Sequence, residues 1–220
     1  MMENGKESIH IKISNEIARK IITGQFTDSV LPTEMELSDY YAVSRNSVRE
    51  ALKILTSKGL LSSKQKSGTK VTPRTEWNFL DPQLFEWFSE LPEMSDIIDK
   101  FIRIQKVLIP EACADAAKFA TSEQRIQLSR IYQSIESQSY TSECALSTHL
   151  HCEFYKSLLL ASNNELFSPY AKILDIVFAT QSQHTSALTQ CNLTLFQAIY
   201  NSIMIADEKL ARVEAEKLFA

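Results

Sequence analysis

The sequence predicts a mainly α chain, an N-terminal winged helix-turn-helix followed by an all-helical bundle. Three observations carry that expectation. Helix-periodic apolar runs recur along nearly the whole length. Two short β-compatible runs occur together, around Gly68. No glycine follows Gly68 in the 220 residues, which disfavours tight-turn β architectures and Gly-rich phosphate loops.

Residues 9–23 carry Ile13, Ile17, Ile21 and Ile22 at helical spacing, and Gly24 stops the run. After the loop at 25–32, Thr33 is an N-cap with Glu36 three residues on, the pattern of a capping box. That second helix is expected to bury Leu37 and Tyr41. A break at Ala42-Val43 leads to Ser44, the cap of a third helix whose Val48, Leu52 and Leu55 share one face. Gly59 ends it. The runs L-L-S-S-K and T-K-V-T then flank Gln65 to Gly68 as a hairpin, with Gly68 free to take positive φ. Helix, helix, tight turn, helix and hairpin is the winged helix-turn-helix order.

The organisation expected is a DNA-binding domain at 7–74, a linker at 75–92 and an all-helical effector-binding and dimerisation domain at 93–220. The linker holds Trp77, Phe79, Phe85 and Trp87, too many aromatics for a free tether. Helices are expected at about 83–91, 95–120, 122–138, 142–161, 165–187, 190–206 and 207–220, with Ser95, Ser122 and Asp207 as N-caps.

Charge divides along the same line. Residues 1–74 hold 12 Lys and Arg against 8 Asp and Glu, a net +4, and the remainder holds 11 against 19, a net −8. A basic segment on an acidic body suits one part for an anionic polymer and another for a different task. No apolar run reaches membrane-spanning length, and the first ten residues lack the apolar stretch of a secretory signal, so a cytoplasmic protein is expected. Cys113, Cys144, Cys152 and Cys191 show neither a C-x-x-C pair nor zinc-like spacing, and read as small apolar residues. No nucleophile elbow, H-E-x-x-H or phosphate loop appears, so no enzyme is expected.

The third helix opens with Ser44, Arg45, Asn46, Ser47, Val48 and Arg49. Arg45 and Arg49 lie one turn apart on one face. A guanidinium pairs bidentately with guanine O6 and N7, and Asn with adenine. Ser44, Ser47 and the open backbone N–H groups of that helix end suit phosphates. At the hairpin, Lys64, Lys66 and Lys70 suit phosphate, while Gln65 and Gly68 approach the minor groove. Thr33, Glu34 and Thr69 complete the expected DNA-facing set. The weaker alternative is a winged helix that binds protein, which would tolerate neutral or acidic residues at 45 and 49.

These residues resemble the GntR family of bacterial regulators. The likeness rests on G-Q-F from Gly24, L-P-T-E-M-E-L at 31–37, V-S-R-N-S-V-R-E-A-L at 43–52, G-L-L from Gly59 and G-T-K-V at 68–71. One departure is Met35, where many members carry an Arg that reaches DNA. The helical remainder is similar to the FadR-type effector domain, often called FCD. The strings I-P-E-A-C-A-D-A-A-K-F-A-T at 109–121 and H-C-E-F-Y-K-S-L-L-L-A-S-N-N-E-L at 151–166 carry that likeness. The W-N-F-L-D segment at 77–81 is similar to that of galactonate-operon repressors.

The resemblance implies a homodimer on a palindromic operator, acting as a metabolite-responsive repressor of a sugar-acid or related carboxylate operon. A regulator of unrelated metabolism with a non-acid effector is the alternative. It implies a pocket containing Arg103, Gln105, His151, Tyr155 and Asn192, with Arg103 the natural partner of an effector carboxylate. Many such domains hold a divalent metal through one Asp and three His. Here those positions carry His151, Tyr155, Asn192 or Phe196, and Glu214 or Leu218, so the family ligands are unmatched and no metal is assigned. His149, His151, Cys152 and His184 read as solvated or core residues. The final helix is short for the family, so the chain is read as either truncated at Ala220 or naturally brief.

Overall fold

The computed structural model describes residues 8–26, 30–64, 68–138, 144–181 and 193–219. The chain divides into two compact units, Met1–Leu91 and Pro92–Ala220.

In the first unit, α1 (Ile9–Ile22) buries Ile13, Ile17 and Ile21 against α3 (Arg45–Ser57). α2 (Glu34–Tyr41) starts in the capping box read from the sequence. The Thr33 hydroxyl accepts from the Glu36 N–H at 3.3 Å, and Glu36 Oε2 accepts from the Thr33 N–H at 2.8 Å. Ala42 closes α2 in the left-handed region, φ 51°, which re-aims the chain into α3. The faces agree with the periodicity: Val48, Ala51, Leu52 and Leu55 of α3 are buried.

β1 (Leu61–Lys64) pairs antiparallel with β2 (Gly68–Val71), Leu61 opposite Val71 and Lys64 opposite Gly68. Val30 adds a bridge to Lys70, and the Leu31 N–H donates to the Thr69 carbonyl at 2.9 Å. The wing is thereby stitched to the loop before α2.

Residues 74–91 belong to this first unit. α4 (Pro82–Phe88) is capped by Asp81, whose Oδ1 accepts from the Gln83 N–H, while Oδ2 pairs with Lys58 Nζ at 2.7 Å. Trp87 Nε1 donates to Asn15 Oδ1 of α1 at 2.8 Å. The Arg74 guanidinium lies over Phe88 at 5.0 Å, beside Trp77 and Phe79. The aromatics clustered in the sequence thus fasten this segment to the reading domain through packing and cation–π contact.

The second unit contains α5 (Met94–Phe119), α6 (Ser122–Gln138), α7 (Cys144–Ala161), α8 (Ser168–Gln181), α9 (Leu193–Met204) and α10 (Glu208–Glu216). α5 packs against α7, α9 and α10, α6 against α7 and α9, and α7 against α8. Two expected caps move. Glu93, not Ser95, precedes α5, without a side-chain cap bond. Thr121, not Ser122, caps α6: its hydroxyl accepts from the Gln124 N–H at 3.2 Å and Gln124 Oε1 accepts in return at 2.8 Å. Asp207 caps α10 as read, through the Leu210 N–H at 2.9 Å. Cys113 and Cys152 are free and buried. The side chain of Cys144, and all of Cys191 and His184, lie outside the described residues.

Candidate nucleic-acid interface

The start of α3 is capped by Ser44. Ser44 is extended, φ −68° and ψ 147°, and its Oγ accepts from the Ser47 N–H at 3.2 Å. The Ser47 hydroxyl lies 2.9 Å from the same oxygen. No acidic residue occupies the first turn. The positive end of the helix dipole is therefore left to whatever approaches from outside. Arg45, Asn46 and Arg49 are all exposed there.

Arg49 is not loose. Its Nη2 lies 2.8 Å from Glu34 Oε2, and its Nε lies 3.2 and 3.3 Å from the two carboxylate oxygens. Glu34 is the first residue of α2, so this fork joins the two helices of the helix-turn-helix. The Arg49 guanidinium, with Arg45 behind it, holds the Glu34 carboxyl below the ordinary carboxylate range. Beside the pair, a cleft of about 410 Å³ separates α3 from the wing, lined by Glu34, Arg49, Leu52, Lys53, Ser63 and Thr69.

The remaining DNA-facing candidates divide. Thr33 is committed to its cap, its hydroxyl also lying 2.8 Å from Glu36 Oε2. Gly68 stands exposed at φ 74°, the conformation its missing side chain permits, and Thr69 faces the cleft. Lys64 closes β1. Gln65 and Lys66 lie outside the described residues. Met35 is half exposed. The sequence reading missed the Glu34–Arg49 fork: the two residues are 15 apart, and no local spacing rule joins them.

In the second unit, Gln105, His151 and Tyr155 are buried at 0%, 1% and 2% exposure, whereas Arg103 stands on the exposed face of α5. Two residues along a helix point about 200° apart, so Arg103 cannot share the inward face of Gln105. Asn192 lies outside the described residues. His151 and Tyr155 sit one turn apart on α7, both in edge contact with Phe196, at 5.1 and 6.0 Å between centroids. Burial lowers the His151 pKa to about 4 and pushes the Tyr155 phenol well up.

The family's metal does not fit these residues. Phe196 supplies a phenyl edge at a ligand position, and Glu214 is turned to Lys217 at 2.6 Å. No group of three or more His, Cys, Asp or Glu able to hold a metal occurs among the described residues.

A helix-turn-helix whose third helix is capped, arginine-bearing and free of acid in its first turn, beside a β-wing, defines a DNA-binding transcription regulator. Residues 11–71 match the family described as bacterial regulatory proteins, gntR family. It is similar over 203 residues, at 28% identity, to the uncharacterized HTH-type transcriptional regulator YieP of Escherichia coli (strain K12), covering 92% of this chain and 88% of that protein. It is 32% identical over 113 residues to the galactonate operon transcriptional repressor of the same organism, covering 51% of this chain and 49% of that one.

Among solved structures, Streptococcus agalactiae GntR superimposes with a TM-score of 0.52 at 18% identity, over 95% of this chain and 96% of that one. The structure of Lar, which controls the expression of the Listeria monocytogenes agr system, gives 0.52 and 18%, over 98% and 95%. At this identity the likeness is one of fold.

Proposed function

We propose that the chain is a homodimeric, cytoplasmic repressor of an operon for sugar-acid catabolism, released by a small metabolite bound in a FadR-type (FCD) second unit, and that it is not an enzyme. The observation that carries the DNA-reading part is the α3 start: Arg45 and Arg49 exposed one turn apart on a helix end free of acidic residues. Arg45 and Arg49 take guanine edges, Asn46 an adenine, and Ser44 and Ser47 phosphate. The wing follows the backbone through Gly68 and Thr69, and Lys64, Gln65 and Lys66 add phosphate and minor-groove contacts.

Two heads on a two-fold axis call for a palindromic site. The sugar-acid part is supported by the likeness to the galactonate operon repressor. No helix among the described residues is long and apolar enough to cross a membrane.

The test is anisotropy binding to the DNA upstream of the chain's own gene, at two salt concentrations, with and without sugar acids, their lactones and the parent sugars. Tight, salt-sensitive binding that one compound releases supports the reading. Binding no tighter than to random DNA removes it. Phosphate contacts make the salt dependence steep in the first case.

A further inference from the structure

The Gln105 side chain is fully buried in α5, and neither its Nε2 nor its Oε1 has a hydrogen-bond partner among the described residues. A buried amide normally satisfies its donor and acceptor within the protein. This one leaves both a donor and an acceptor unmet among the described residues. His151 is a second buried polar side chain, on α7, which packs against α5. α5 and α7 run in the same sense, since Asn163 Nδ2 after α7 donates to the Phe119 carbonyl at 2.6 Å and Tyr155 sits beside Cys113. At 1.5 Å per residue, Gln105 lies about 12 Å below the level of Cys113, and His151 about 6 Å below that of Tyr155. Amide and imidazole are therefore about one turn apart in height on helices that pack together.

The charges complete the picture. The second unit holds eleven lysines and arginines, and all lie among the described residues. None is buried. The half-buried ones are engaged: Arg125 with the Ala117, Ala120 and Ile203 carbonyls, Lys156 with Glu153 and Asp175, and Arg212 with Glu111. The interior of this unit thus offers polar groups without a positive counter-charge. A carboxylate taken inside it would be stripped of water with nothing to balance it. Hydroxyl and carbonyl groups match an amide that both donates and accepts.

Resting on the effector reading above, we propose that the second unit takes an uncharged, hydroxyl-rich ligand, such as the lactone form of a sugar acid or a neutral sugar, held by Gln105 and His151 without a metal ion. This departs from the metal-and-carboxylate chemistry that the family resemblance implies.

A lactone and its open acid share a skeleton and differ in charge, so the pair isolates the question. Full-length protein is titrated at pH 6, where the lactone persists, with galactono-1,4-lactone, galactonate, galactose and galactitol, before and after EDTA treatment and with added Mn²⁺. The readouts are the melting of the helical unit and release of operator DNA. The expected result is a response to an uncharged compound at a concentration at least tenfold below that of galactonate, unchanged by EDTA. Galactonate acting equally well, a response that requires Mn²⁺, or no response to any uncharged compound overturns the proposal.

Gln105→Met keeps the shape of the side chain and should retain melting and operator binding while weakening the ligand response at least tenfold. Gln105→Leu serves if the first variant does not fold. A retained response in either overturns the assignment to Gln105. Operator binding without ligand is read separately, so failure of the DNA-reading proposal is distinguishable from failure of this one.

Discussion

The Arg49 guanidinium grips the Glu34 carboxylate in a fork, with Nη2 at 2.8 Å and Nε at 3.2 and 3.3 Å. Both side chains are substantially exposed, so the pair is a weak source of stability. Its consequence is orientation: two of the five guanidinium N–H groups face Glu34, and the others keep a fixed aim. Glu34→Gln should leave the melting temperature nearly unchanged. It should lower the ratio of operator to random-DNA affinity on the order of fivefold, while random-DNA binding holds or tightens slightly, because a negative charge has gone. If all DNA tightens equally and the ratio is unmoved, Glu34 only neutralises Arg49.

Arg45 and Lys70 should separate by the kind of loss. Arg45→Ala removes the guanidinium proposed to read a base and should cost the operator roughly five- to a hundredfold, with random DNA little changed. Lys70→Ala, at an exposed position of β2, should weaken both DNAs alike and flatten the salt slope by about one unit. Anisotropy titrations across several salt concentrations decide it. An Arg45→Ala protein with wild-type operator affinity would displace the reading helix from the groove.

Two glycines test the reading domain's architecture. Gly59 sits at φ 81°, and a Cβ there would run into the Glu76 carbonyl, which crosses directly over it. Gly24 sits at φ 69° with nothing within 4 Å of an added Cβ. Gly24→Ala should cost about 1 kcal/mol, the penalty of a left-handed backbone alone. Gly59→Ala should cost at least about 3 kcal/mol, because backbone must move as well. Both tryptophans, Trp77 and Trp87, belong to the first unit, so urea unfolding followed by Trp fluorescence reports on it selectively. Equal losses would mean the segment at 74–77 is not held against Gly59.

Much of the first unit was legible because its signals are local. The Thr33-to-Glu36 box, the Ser44 cap and the Gly68 turn are read within four residues, and the Ile and Leu faces follow from period alone. The place of residues 74–91 was less so. Lys58–Asp81 and Trp87–Asn15 span 23 and 72 residues, and no window shows such pairs. In the second unit the helices were legible, and so was the burial of Gln105, His151 and Tyr155, but Arg103 was misplaced. Comparison put Arg103 beside Gln105, but a helix places those two on nearly opposite sides. Ser95 looked like a cap because serine favours caps. The chain had already turned helical at Met94 without any side-chain cap. The 165–187 run begins as a 3₁₀ turn at Glu165–Phe167, because Asn164 Oδ1 accepts from the Leu166 N–H, and α8 proper starts at Ser168.

His151 gives the second unit a pH dependence of definite sign. It is buried at 1% exposure against the Phe196 ring, and burial lowers its pKa from 6.5 to about 4. The neutral imidazole is the form the fold accepts. Above pH 6.5 both folded and unfolded chains carry it neutral, and its contribution is fully present. As pH falls from 6.5 towards 4 the unfolded chain takes up the proton first, so stability drains across that window, on the order of 3 kcal/mol in full. Calorimetry between pH 7.5 and 4.5 should show the transition of the helical unit, the one Trp fluorescence does not follow, shift down steeply below pH 6.5. His151→Gln should flatten that slope whatever it does to stability at pH 7.5. An unchanged slope in the variant would assign the acid sensitivity to carboxylates instead. A flattened one would establish that the imidazole beside Phe196 is held neutral, the state in which it can serve an uncharged ligand.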